Sequence, residues 1–130
     1  MSNRQTDKPM RWAVFILCVA CLAACSDDDD DFDACDVANP EELTWFKEAT
    51  ESLNQSGEIS QYMYFTQAEY QGQRVYLQRN CCPSCNSVIL VFDCAGNELG
   101  WLGSGEDAIK TEDIKNESVA WKSDGNVCAI

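Results

Sequence analysis

The chain contains no histidine, and that one absence removes several chemistries together. A Ser/His or Cys/His nucleophile pair has no base to work with, and zinc sites of the cysteine–histidine kind lose half of their ligands. Basic residues are few. Nine lysines and arginines stand against 22 acids, a formal charge of −13, and a field of that sign disfavours nucleic acid and anionic lipid surfaces. Long apolar runs are lacking as well. The unbroken run from Trp12 to Ala24 falls short of the roughly 20 residues a helix needs to cross a bilayer. Gly103-Ser104-Gly105 has no phosphate-loop pattern, and Asp93 to Glu98 lacks the ligand spacing of a calcium loop. The acid pairs Glu41/Glu42, Glu106/Asp107 and Glu112/Asp113 are sequence neighbours. They read as solvated charges of loops and helix ends, not as an acid–base pair. No internal repeat is visible.

What is present begins at the amino terminus. Residues 1–11 carry Arg4, Lys8 and Arg11 against one acid, Asp7. A basic start, a short apolar run and small residues at its end describe a secretory signal over residues 1–24. A buried core helix is the competing reading, and it does not account for the basic tail in front. Ser26 and the five aspartates Asp27, Asp28, Asp29, Asp30 and Asp31 follow Cys25, then Phe32 and Asp33. By charge alone residues 25–38 form a self-repelling, extended tether.

Leu22-Ala23-Ala24-Cys25 resembles the lipobox of bacterial lipoproteins. The resemblance implies that the signal is cut before Cys25 and that this cysteine carries a thioether-linked diacylglycerol. Each buried CH₂ of such a chain contributes ~0.8 kcal/mol, and two or more chains hold where one is marginal. Ordinary cleavage would instead leave Cys25 as a free thiol, a liability in an oxidising compartment. Ser26 with Asp27 to Asp31 is similar to the export signal of surface lipoproteins in the Bacteroidota. That implies an anchor in the outer membrane and a domain facing the cell exterior, with a periplasm-facing anchor as the alternative.

The cysteine count agrees with export. Of nine cysteines, Cys18 and Cys21 leave with the signal and Cys25 takes lipid. Cys35, Cys81, Cys82, Cys85, Cys94 and Cys128 remain, an even number that reads as a disulfide framework in a short exported chain. If residues 86–93 form one strand, Cys85 and Cys94 lie ~30 Å apart at ~3.3 Å per residue. A bridge needs Cα atoms within ~7 Å. Cys94 is therefore expected to pair with Cys35 or Cys128. One local bridge is then expected inside Cys81/Cys82/Cys85, with Cys82–Cys85 or Cys81–Cys85 favoured, and one from that group to the remaining distant cysteine.

Residues 39–130 read as a single small domain. Asn39-Pro40-Glu41-Glu42 is a helix start by its cap, its proline and its acids. Leu43, Phe46, Ala49, Thr50 and Leu53 continue it as an apolar stripe that Gly57 stops. Trp45 lies to one side of the stripe and reads as a flank packed on the sheet. Ile59 to Tyr70 and Gln73 to Arg79 form a hairpin about Gln71-Gly72, in a register that sets Glu69 opposite Arg74 and Ala68 opposite Val75. Val88 to Phe92 reads as a central strand, Asp93 to Asn97 as a turn, and Leu99 to Leu102 as the next strand. Glu106 to Asn116 suggests one short helix bearing Ile109 and Ile114, and Val119 to Trp121 a last strand before an Asp124-Gly125 turn. The sum is an α+β fold: one N-terminal helix on an antiparallel meander of about four strands, braced by disulfides.

Asn39-Pro40 before a Trp-bearing helix, the Gly72-to-Tyr76 strand, Cys81-Cys82 and Asp93-to-Asn97 resemble small lipoproteins of the same phylum, which bring no activity to carry over. Cys82-Pro83-Ser84-Cys85 resembles the motif of glutaredoxin-type oxidoreductases, where a helix starting just after the first cysteine lowers its thiol pKa. Here a β-rich run follows, and Cys81 adds a third thiol. A metal site in these thiols lacks a second ligand cluster, so neither metal nor cofactor is expected. The leading expectation is a surface-tethered, non-enzymatic binding or structural module. Tyr62, Tyr64, Phe65, Tyr70, Tyr76, Trp101 and Trp121 exceed what one sheet face can hide, which suggests an aromatic patch for a protein or glycan partner. The alternatives are a thiol-disulfide oxidoreductase using Cys82 and Cys85, and an inhibitor of an extracellular protease.

Overall fold

The computed structural model describes residues 36–130. The signal, Cys25, Ser26, Asp27 to Asp31 and Cys35 lie outside the described residues. Asn39 does cap, with Oδ1 accepting from the Glu41 N–H at 3.1 Å, but what it caps is a short 3-10 turn, Pro40–Glu42. Leu43 is extended (φ −76°, ψ 118°) and breaks the run, so helix α1 begins only at Thr44 and reaches Asn54. It has no side-chain cap of its own. An eleven-residue helix is marginal by itself in water, so packing must hold it.

That packing is supplied by the sheet. Strands β1 (Met63–Tyr70) and β2 (Gln73–Asn80) pair antiparallel with Tyr70 opposite Gln73, Glu69 opposite Arg74 and Ala68 opposite Val75. Their two-residue turn uses positive φ at both Gln71 (51°) and Gly72 (78°), the hand that matches strand twist. Strand β3 (Leu90–Phe92) lies on the far side of β2, and β4 (Glu98–Trp101) beside it. Strand β5 (Lys115–Lys122) returns to the other side of β1, giving the order β4-β3-β2-β1-β5. The sheet therefore has five strands rather than four, and its last strand is no continuation of a meander.

Two further expectations are corrected. Val88 and Ile89 do not belong to β3. Leu90 pairs with Gln78, so Val88 would face Asn80, where β2 ends and the chain turns away. Val88 is 61% exposed as a result. Glu106 to Asn116 is not one helix. Ile109 forms an isolated bridge with Leu102, a 3-10 turn spans Thr111–Asp113, and β5 begins at Lys115.

Both faces of the sheet are covered. On one, Phe65, Tyr76 and Phe92 pack with Phe46, Trp45 and Leu43 of the helical side. On the other, Ala68, Val75, Leu77 and Val91 pack beneath Ile109, Leu102 and Ile114 of the connecting segment. This second cover explains the aromatic surplus. Phe65 and Tyr76 are fully buried, Tyr62, Tyr64, Tyr70 and Trp121 are half-buried, and only Trp101 of the seven is exposed.

Trp45 is more than a flank. Its ring stands edge-on to Phe46 and Tyr76, with centroids 5.5 and 5.6 Å away, and 5.8 Å from Phe92. Its indole N–H donates to the Cys94 carbonyl at 2.8 Å. The β3–β4 turn reaches it through Gly96, whose φ of +87° suits glycine. A Cβ there would stand 2.6 Å from Trp45 Cγ. Gly72 has a similar φ and open space around it. Backbone strain of this kind costs about 1–3 kcal/mol. Urea unfolding is expected to show Gly96→Ala more destabilising than Gly72→Ala by at least about 1 kcal/mol, the excess measuring the displaced indole.

Candidate functional site

The strands place the cysteines at two opposite ends of the sheet. Asn80 ends β2 opposite Met63, the first residue of β1, so the chain from Cys81 onward lies at the end where β1 begins. Cys81 donates its N–H to the Tyr62 carbonyl at 3.1 Å. The carboxy-terminal tail comes to the same place. Ser123 donates to Met63 O, Val127 to Gln61 O, and the Asn126 amide to Met63 O. Cys81 is bonded to Cys128, with Cα atoms 5.8 Å apart. Cys82 is bonded to Cys85, with Cα atoms 5.4 Å apart.

Cys94 lies at the other end, in the β3–β4 turn, 5% exposed and part of the helix-side core. It too is disulfide-bonded. Of its two expected partners Cys128 is taken by Cys81, and Cys35 lies outside the described residues. The beginning of the described chain is at this end as well, where Val37 O accepts from Arg74 Nη1 at 3.2 Å. The turn itself is held by Asp93, whose Oδ1 accepts from the backbone N–H groups of Ala95 and Asn97, while Oδ2 accepts from the Asn97 amide. Both carboxylate oxygens of Asp93 thus serve the turn.

Around Cys82 and Cys85 the local structure is a turn. The Cys85 N–H reaches the Cys82 carbonyl at 3.4 Å, and Asn80 Oδ1 accepts from the Cys82 N–H at 3.2 Å. Residues 86–89 have no regular secondary structure before β3. The helix that lowers the first thiol's pKa in glutaredoxin-type enzymes has no counterpart after Cys82, and its field is missing. Among the described residues no group of cysteines and acids is arranged to hold a metal ion, and no helix is long and apolar enough to cross a membrane.

The open part of the second sheet face carries a charged cluster that the sequence does not announce. Glu117 on β5 receives Arg79 Nε and, at 2.9 Å, Arg79 Nη2, a two-pronged ion pair. The Thr66 hydroxyl donates to the same carboxylate. Arg79 and Glu117 are 38 residues apart, and β1 lies between their strands. The strand order alone brings them together, which is why no local pattern finds them. This cluster fastens β2 across β1 to the edge strand.

Comparisons with family models, with curated proteins and with solved structures each return no match for the chain.

One buried group titrates unusually. Tyr76 is fully buried, and its hydroxyl has no hydrogen-bond partner among the described residues. Burial pushes its pKa up, and Arg74, near enough to act on the hydroxyl first as a donor and then as a positive charge, offsets part of that rise. The neutral phenol is the form the fold accepts. Its stabilising contribution is whole below the ordinary tyrosine value of about 10 and is lost as pH rises through the raised folded value. Alkaline titration is expected to show a late-ionising tyrosine that Tyr76→Phe removes. At neutral pH that variant should match the parent's stability within about 1 kcal/mol, since the hydroxyl it deletes makes no hydrogen bond of full strength.

Proposed function

We propose that this protein is a lipid-anchored, surface-exposed lipoprotein of the outer membrane whose single domain serves as a non-enzymatic binding or structural module. The segment Leu22 to Asp31 carries this reading: a lipobox, the cysteine Cys25, Ser26 and an uninterrupted acidic run. The fold adds an orientation consistent with it. Val37, near the close of the tether, and Leu43 after it pack in the cluster that holds Cys94. The end bearing Cys81, Cys82, Cys85 and Cys128 is then the far one, held away from the membrane and presented outward.

That far end suits contact with other molecules. Ile59, Val88, Val127 and Ile130, each at least 40% exposed, belong to segments that converge there, and isolated apolar side chains at a braced surface can meet a partner without ordering cost. The charge of the domain works with the tether. Its repulsion from anionic headgroups holds it off the surface to which the lipid binds it.

The experiment is replacement of Asp27 to Asp31 by alanine, followed by lipid labelling and protease treatment of intact cells. The parent is expected to be labelled and shaved. The variant should be labelled equally and protected. Equal shaving of both would refute the export role of the aspartates, and loss of label in the parent after Cys25→Ala alone is the expected check on the anchor.

A further inference from the structure

The geometry points to Cys82–Cys85 as a thiol-exchange site: a bridge that a thiol reductant opens and an oxidant recloses while the domain stays folded. This inference does not depend on the lipid anchor. It starts from what the bridge holds, which is little. Cys82 and Cys85 are three residues apart, whereas Cys81 and Cys128 are separated by 47. The constraint a disulfide places on the unfolded chain grows with the loop it closes, so the short bridge adds far less to folding than its neighbour does.

The turn it closes is also held without it. Cys85 N–H to Cys82 O and Cys82 N–H to Asn80 Oδ1 both survive reduction, because neither uses sulfur. The two thiols would stay near one another, and re-closure needs no search. Access follows from the same local structure. Pro83, Ser84, Asn86 and Ser87 are exposed, both cysteines are half-buried, and neither belongs to a core cluster. Cys94 by contrast sits within the core. Cys81 and Cys128 are half-buried too, but their bridge ties segments 47 residues apart, with the Cys81 N–H on the Tyr62 carbonyl and the Cys128 N–H on the Asn126 side-chain Oδ1.

The exchange balances with a dithiol as the reductant. A thiolate of the dithiol attacks one sulfur of the pair; the Cys82–Cys85 bond breaks, a mixed disulfide forms, and the other cysteine leaves as a thiolate that takes up a proton. The dithiol's second sulfur then displaces the bound cysteine. The reductant ends as a disulfide, and Cys82 and Cys85 end as two thiols, having gained two electrons and two protons. With no helix start behind Cys82 to activate it, the protein is the substrate of this exchange and the incoming thiol is the driver.

The test uses the full exported protein, treated with graded dithiothreitol, quenched by alkylation and mapped by peptide mass spectrometry, with circular dichroism followed in parallel. Cys82 and Cys85 are expected to be alkylated together at about tenfold lower reductant than any other cysteine, with the spectrum unchanged. Oxidised glutathione should abolish that labelling. Labelling of Cys81 or Cys128 first, or of all cysteines in one step as the spectrum collapses, would overturn the inference. The double variant Cys82→Ser/Cys85→Ser should fold with the parent spectrum and take up no label at low reductant. If it fails to fold, the bridge is structural and the exchange site is refuted.

Discussion

The seating of Trp45 is the constraint on which the rest of the domain depends. Helix α1 is short, lacks a side-chain cap and follows a break at Leu43, so its own hydrogen bonds do not secure it. Trp45, in its first turn, hydrogen-bonds the Cys94 carbonyl and stands against Phe46, Phe65, Tyr76 and Phe92. The indole is at once part of the core and a tie to the β3–β4 turn. Gly96 closes over it because nothing larger fits. The turn, the helix start and the Cys94 bridge are thus parts of one assembly, and a change in any of them is felt by the others.

The opposite end works on another principle. Beside the buried Met63, covalent bonds and hydrogen bonds from the carboxy-terminal tail do the holding. One end joins its bridge at Cys94 to the packing around Trp45, and the other carries two bridges and the tail, with the β1–β2 hairpin between them. For about 95 residues, near the size at which burial alone is a sparing source of stability, this division is physically economical. Three apolar side chains near the Cys81–Cys128 bridge, Val88, Val127 and Ile130, are exposed.

What the sequence made legible was local. The hairpin register was readable because Gln71-Gly72 fixes the turn and Glu69 and Arg74 then face one another. The turn at Asp93 to Asn97 was readable from its aspartate and glycine. The remoteness of Cys94 from Cys85 was also readable, since β3, though shorter than expected, still runs away from the Cys81–Cys85 loop. What was not legible depended on distant partners. β5 opens with Lys115-Asn116-Glu117-Ser118, a polar stretch that becomes a strand only because β1 offers it an edge. Ile109 is 7% exposed in a stretch of acids because Ala68, Val75, Leu77 and Val91 lie beneath it. The Arg79–Glu117 pair is of the same kind, and so is the aromatic surplus, which disappears once both sheet faces are known to be covered.

The two margins of the sheet differ in a way that bears on solution behaviour. Beside β4 the backbone is already engaged: Ile109 N–H donates to Trp101 O, and Gly103 N–H to Ile109 O. Among the described residues β5 has no strand beyond it, but its pairing slips twice, Asn116 adopts a φ of +51°, and Lys115, Glu117 and Lys122 are distributed along it. Bends and charges of this kind prevent one sheet from zippering onto another. Strand-to-strand pairing between copies of this domain is therefore hindered at this margin, where crowding would otherwise invite it.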